Sequence, residues 1–372
     1  MDRRNFLTSG GKVALAAAVP LLTWPFKEAS RADENAVLVA ELGQPAIEIM
    51  LLATRAPSGH NTQPWTVRVL NQERWIIGID ESRRLPGVDP TARETILSLG
   101  AFLENLVVAA KHDGYAVEYD VIARAPTDAD IIDLRFKTTS AVSQPLDEIR
   151  LRRTVRNGFL ANEIKATDLA SVVGRTNDFH YFARGSAIAK YLVEGTVEAN
   201  RRQAYRDPAE EELANWIRWS AVDATKYRNG LTPASMEIDG LAGWYVSHFY
   251  DRAKVLSKSF RETTIKQVTE RVGEGGGWIV VSSTGSSVAT LIETGRLFER
   301  MWLRLRNKNI ALHPMTQMLE ESPWREQIAK NLGTGSVQFL LRIGYIGSYP
   351  KPASLRMPLS WIMKSMIAKK TA

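Results

Sequence analysis

Pro57-Ser58-Gly59-His60-Asn61-Thr62-Gln63-Pro64-Trp65 joins an apolar helical run at 47–52 to a strand-like run at 65–70. Pro57 stops the helix, Gly59 permits unusual backbone angles, and Pro64 pushes Gln63 toward an extended conformation. The turn presents a hydroxyl and two amides to whatever lies beside it. A plain helix–strand connection with capping residues would use similar turn chemistry.

Pro, Ser, Asn, Gln, Pro and Trp at this spacing resemble the P-S-x-x-N-x-Q-P-W signature of nitroreductase-like flavoproteins. His60 before Asn61, and the surrounding chain, are most similar to the Acg branch of that family, which is described as FMN-binding. The resemblance implies an α/β (α+β layered) fold, with FMN held across an interface partly by this loop. One departure is Gly59, where the wider family often carries a serine, so one hydroxyl contact is missing.

Composition sets the outer bounds. The chain has 372 residues, 44% hydrophobic and 24% charged, which suits a globular protein with a sizeable core. Cysteine is absent, which excludes disulfides, thiolate chemistry and thiolate metal sites. His60, His112, His180, His248 and His313 have no metal-ligand spacing, so no metal is expected. The net charge is +7, and residues 1–32 contribute +3 of it, five cations against two acids. The remaining excess suits a phosphate-bearing ligand or an anionic surface. With no basic stripe among stacking aromatics, nucleic acid is not expected as a partner.

The first 32 residues read as an address. Arg3 and Arg4 precede Phe6 and Leu7, a short apolar run follows at 13–22, and Ser30-Arg31-Ala32 forms a small-x-small site. The order resembles a twin-arginine signal, which implies the twin-arginine export machinery as a partner and a periplasmic or exported location. The apolar run is too short for an ordinary membrane anchor. At the other end, the apolar and basic stretch 359–370 reads as a terminal helix packed on the body, with at most peripheral contact to an anionic membrane.

A weak repeat divides the rest. Gly100, Leu103 and Glu104 align with Gly295, Phe298 and Glu299, and both runs have helical apolar spacing. Strands are expected at 65–70, 75–79, 117–122, 131–136, 179–182, 278–283 and 338–343, and helices at 187–205, 209–219 and 241–261. We therefore expect a first half at 36–143, a second half at 144–350 with a helical insertion at about 186–260, and a tail at 351–372. Two degenerate repeats in one chain would then mimic a homodimer.

The second half opens with Arg152, Arg153, Thr154 and Arg156, a pattern of guanidinium groups around a hydroxyl that can grip phosphate. A solvated basic turn is the alternative. The segment resembles the family's R-x-[ST]-x-[KR] element, which assigns Arg152 to the FMN phosphate, Thr154 to the phosphate or ribityl region and Arg156 to the ring's N1/O2 edge. By the same resemblance Pro57, Ser58 and Asn61 line the ribityl and ring, and Gln63 keeps the loop in shape. His313, Pro314, Met315, Thr316 and Gln317 stand where the family offers backbone N–H groups to flavin N5 and O4, so Thr316 and Gln317 join Arg156 as candidates for tuning the flavin. Arg342 stands where a second phosphate cation is found. Loop and basic element each occur once, so a single chain can assemble one site, as a monomer. Gly273-Glu274-Gly275-Gly276-Gly277 precedes a strand rather than a helix and reads as a mobile turn, not a phosphate loop.

These features point to an exported FMN-dependent oxidoreductase whose small-molecule electron donor and acceptor the residues do not specify. A flavin-storing protein without turnover is the second expectation, since residues 186–260 could seal the pocket. A degenerate structural protein without flavin is the third.

Overall fold

Two sheets, one in each half, flank a pair of central helices. Residues 35–174 and 177–365 are described in the computed structural model, so the expected signal at 1–32 lies outside the described residues. The first sheet contains β1 (Trp65–Asn71), β2 (Arg74–Ile79), β3 (Tyr115–Val121), β4 (Asp130–Thr138) and β9 (Met363–Ser365), in the order β3-β4-β2-β1-β9. The second contains β5 (Phe179–Ala183), β6 (Gly277–Ser283), β7 (Ile310–Pro314) and β8 (Ser336–Tyr345), in the order β5-β6-β8-β7. Every pairing is antiparallel except β1 with β9, where Val67 is in register with Met363.

Local chemistry accounts for the elements. Along β1, Trp65, Val67 and Val69 are buried in alternation, as a half-covered strand requires. The Asn71 side chain accepts from Glu73 N at 2.9 Å and closes the turn into β2. Asp89 caps the first central helix, Arg93–His112, by accepting from Glu94 N and Thr95 N at 3.1 and 2.9 Å. Ser287 caps the second, Val288–Asn307, by accepting from Thr290 N.

Each central helix packs on the sheet of its own half and against the other helix. Trp65 meets Phe102 at 5.1 Å between ring centroids, and Phe298 stacks on Phe339 at 4.1 Å. The helices cross at Gly100 and Gly295. A methyl group on Gly100 would strike the Ile292 carbonyl, and one on Gly295 the Leu97 carbonyl. The residues aligned by the sequence repeat thus face one another where the helices touch, and only glycine lets the backbones come so close.

Three expectations need correction. His313 and Pro314, expected in the loop after the second central helix, end strand β7 (Ile310–Pro314). Within the described residues the tail runs through a short helix, Leu359–Ile362, and enters the first sheet as β9, where a continuous helix was expected; residues 366–370 of that expectation lie outside the described residues. The helix expected at 241–261 is broken into Gly240–Phe249, Arg252–Val255 and Lys258–Arg271. Asp251 and Ser257 accept from Lys254 N and Phe260 N, and so start new helices within it. The glycine turn before β6 also differs from a mobile loop. Gly276 N donates to Ile343 O, and a methyl on Gly275 would press on the same carbonyl.

Candidate functional site

The 57–65 loop is held in an uncommon shape. His60, Asn61 and Gln63 all have left-handed backbone angles, with φ of 46°, 54° and 53°. Side chains other than glycine rarely accept this, and such strain collects at functional positions. Ser58 Oγ accepts from Gln63 N at 3.0 Å and closes the loop on itself. Gly59 stands against Leu85 and Glu94, and a Cβ there would lie 3.1 Å from Glu94 Oε1. Packing explains why the family's serine is missing.

Asn61 does not reach outward as expected. Its Nδ2 donates to Gly230 O and Leu355 O, both at 3.1 Å, and its Oδ1 accepts from Arg356 Nη1 at 2.8 Å. Gln63 donates to Arg228 O at 3.1 Å and accepts from Met357 N at 2.9 Å. The two amides clasp segments from the insertion and from the tail. Pro57 is half-buried at the head of the loop.

The basic segment is also bound within the chain. Arg152, expected at a phosphate, is buried. Its Nε lies 2.9 Å from Glu299 Oε1, its guanidinium lies over the Trp302 ring at 4.4 Å, and it donates to Arg55 O. A buried cation needs a partner, and the second central helix supplies one. Arg153 donates to Lys351 O and to Glu237 Oε1, and its Nε reaches the Thr154 carbonyl. Arg156 N donates to Glu237 Oε2, and its Nη1 donates to Ser235 O at 2.8 Å. Burial lowers the Arg156 pKa to about 10, opposed by Glu237, so it remains a cation at neutral pH.

His60 and His313 show which parts converge. Burial, aided by Arg156, lowers His60 to about 4. Burial, then Arg342 and Arg156, holds His313 well below its usual value. Both imidazoles are neutral at pH 7. The loop of the first half therefore stands beside the basic segment of the second. Arg342, almost wholly buried, donates to Arg156 O at 2.7 Å, contacts His313 Nδ1 at 3.1 Å and lies over Phe159.

The 313–317 stretch is only partly loop. Pro314 ends β7, and Met315 N donates to Leu340 O at 2.8 Å, which removes that N–H from the set expected to face flavin. Thr316 Oγ1 donates to Glu320 Oε1 at 2.8 Å, and Gln317 begins the short helix Gln317–Glu320. Near Gly59 lies a group that the sequence reading missed. Burial, then the neighbouring Glu320 and Asp89 carboxylates, pushes Glu94 up to about 8, and burial raises Glu320 as well. No motif carries these acids, and only their burial together reveals them.

Cations and neutral imidazoles thus gather near His60, and carboxyls whose pKa burial raises gather near Gly59. His60, Glu94, Arg156, His313, Gln317 and Glu320 all keep partial exposure. Among the described residues, His60 Nε2, Gln317 Oε1 and Arg342 Nε are buried without a hydrogen-bond partner. Buried polar atoms are normally satisfied, so this arrangement suits a ligand with hydrogen-bonding groups.

No family model matches the chain. It is 26% identical over 316 residues to a Serratia sp. protein named "Probable NAD(P)H nitroreductase PigM", covering 79% of this chain and 86% of that protein. It is 24% identical over 327 residues to the acg protein of Mycobacterium tuberculosis, also named as a candidate NAD(P)H nitroreductase, covering 83% and 92%. Among solved structures, a nitroreductase-like family protein from Bacillus cereus overlaps 61% of this chain and 98% of its own, at 11% identity and a TM-score of 0.34, a likeness too distant to argue from.

Proposed function

We propose that this protein is an FMN-dependent oxidoreductase of nitroreductase type, holding one flavin per chain between its two halves. The observation that carries this reading is that Arg156 of the second half stands close enough to His60, on the loop of the first half, to depress its pKa, and acts on His313 in the same way. Similarity to proteins named nitroreductases over about four fifths of the chain supports it. The unpartnered atoms of His60, Gln317 and Arg342 fit a ligand with hydrogen-bonding edges.

FMN, when bound, supplies hydride acceptance and onward electron transfer. The chain supplies charge, protons and dryness. Arg156 would hold a fixed cation beside the ligand edge that becomes negative on reduction. Neutral His60 and His313 each offer one donor and one acceptor nitrogen without adding charge. Glu94, pushed up to about 8, retains a proton at neutral pH, and burial raises its neighbour Glu320 as well. Residues 228–237 and 351–357, tied down through Asn61, Gln63 and Arg156, would keep water out. The same clasp favours the second reading, a flavin-binding protein whose ring no substrate reaches.

One experiment separates these readings. Purified protein should show flavin absorption at one FMN per monomer, and mixing with reduced nicotinamide should bleach it. Flavin that bleaches only with dithionite would favour storage. A colourless protein that takes up no added FMN would reject both. Export rests on residues 1–32 alone. Changing Arg3 and Arg4 to Lys should retain the protein in the cytoplasm, and unchanged fractionation would reject a twin-arginine route.

A further inference from the structure

The helix Gly240–Phe249 has two faces. Gly243 and Val246 are turned inward, where Val246 joins Trp219 and Val255 in a small apolar cluster. Leu241, Trp244, Tyr245 and Phe249 are turned outward and are 81%, 55%, 52% and 60% exposed. Their spacing places them on one helical face. They form a continuous surface, with Trp244 6.0 Å and Tyr245 4.9 Å from Phe249 between ring centroids. Single exposed apolar residues are ordinary, but a contiguous patch marks a contact surface.

Size and chemistry select the partner. Side chains of this size bury roughly 150–250 Å² when covered, so at these exposures the four offer about 500 Å². That falls short of the roughly 800 Å² each partner contributes to a stable protein interface. Trp and Tyr combine an apolar ring with a polar N–H or O–H, which suits the boundary between headgroups and acyl chains. After this helix, Arg252 and Lys254 stand beside one acid, Asp251, whose carboxylate caps Lys254 N, while Lys258 pairs with Glu262 and Arg261 with Asp207. The basic stretch complements anionic lipid. Among the described residues no single helix is long and apolar enough to cross a membrane, so any contact made by this face lies at the surface.

We propose that helix Gly240–Phe249 is a peripheral docking element that lies in the interface of an anionic bilayer, its Leu241–Trp244–Tyr245–Phe249 face toward the acyl chains. This inference stands apart from the flavin reading and needs no cofactor.

The chain has no cysteine, so one introduced thiol gives a unique label. Full-length Trp244→Cys and, as a control on β4, Lys137→Cys would each carry a polarity-sensitive fluorophore. With vesicles of phosphatidylcholine and phosphatidylglycerol, the label at 244 should shift to the blue and be quenched by brominated acyl chains, while the label at 137 should do neither. Changing Leu241 and Phe249 together to Asp, in the chain labelled at 244, should weaken that response at least tenfold and leave thermal melting unchanged. A label at 244 that stays in water on vesicle-bound protein, or protein that binds no vesicles, overturns the proposal. So does a shift at 244 that follows protein concentration without vesicles, which would assign the face to a second copy of the chain.

Discussion

Glu104 and Glu299 occupy matching places on the two central helices, yet their surroundings differ. Glu104 accepts from Arg300 at 2.8 and 2.9 Å and from Arg296 at 3.1 Å, and the Arg300 side chain is 41% exposed. Glu299 is fully buried against Arg152, and its pKa is raised by burial despite the pull of Arg152 and Asn105. Asn105 occupies the position that corresponds to Arg300. One glutamate, itself buried, ties the helices together through arginines that reach toward the rim, and the other fixes the basic segment to the interior. The difference teaches that a shared sequence position does not carry a shared role. In this structure Arg152 is engaged by Glu299 rather than turned to the phosphate that its motif implied.

The comparison breaks most directly at Arg152. Arg152→Ala leaves the Glu299 carboxylate buried without its cation, which should cost about 3–5 kcal/mol of folding stability. Denaturant unfolding measures this. A stability loss below about 1 kcal/mol, with FMN affinity reduced, would return Arg152 to the phosphate. The crossing itself is symmetric, so Gly100→Ala and Gly295→Ala should each cost about 1–3 kcal/mol or more, and unequal costs would show that the two helices do not meet as equals.

Arg156 sharpens the contrast, because its charge borders the proposed ligand rather than the core. Arg156→Gln should lower the two-electron midpoint potential of bound FMN by about 30 mV for each ~1.4 kcal/mol lost. A redox titration that finds the midpoint unmoved would leave Arg156 only its contacts to Ser235 and Glu237.

Protonation gives a further probe. The folded state keeps a proton on Glu94 up to about pH 8, whereas an unfolded glutamate releases it near 4.5, so stability from this group is lost as pH rises through that window. His60 acts in the opposite sense. Folded His60 refuses a proton until about pH 4 and unfolded histidine binds it near 6.5, so stability is lost as pH falls between those values. Glu94→Gln should therefore flatten the decline in melting temperature between pH 6.5 and 8, and an unaltered decline would place the titration elsewhere. The smallest effect belongs to the rim. Arg300→Ala removes a partly exposed partner and should cost less than about 1 kcal/mol. A cost as large as that of Arg152→Ala would erase the distinction between the two glutamates.

Much of the architecture was legible in the residues. Alternating and continuous apolar runs marked β1, β2, β3, β4, β5, β6 and β8, and the Gly–Glu repeat marked the two central helices. β7 and β9 were missed because both are short and take their pairing from distant strands: Leu312 lies opposite Ile343, and Met363 opposite Val67. At the candidate site, the loop and the basic segment were legible because their spacing is local. The partners of Asn61 and Arg156 were not, since Gly230, Leu355 and Ser235 accept through backbone carbonyls, which every residue type possesses.

The sequence by itself marked most of the strands, the two central helices and two candidate motifs, because periodicity and turn residues act over a few positions. Only the tertiary structure decided which partner each charge takes. Arg152 and Arg156 lie four residues apart in one basic run, yet one is drawn into the interior by Glu299 and the other stands beside His60. Burial and pairing are properties of neighbours in space, and a buried charge must be neutralised by whichever group the fold brings within reach.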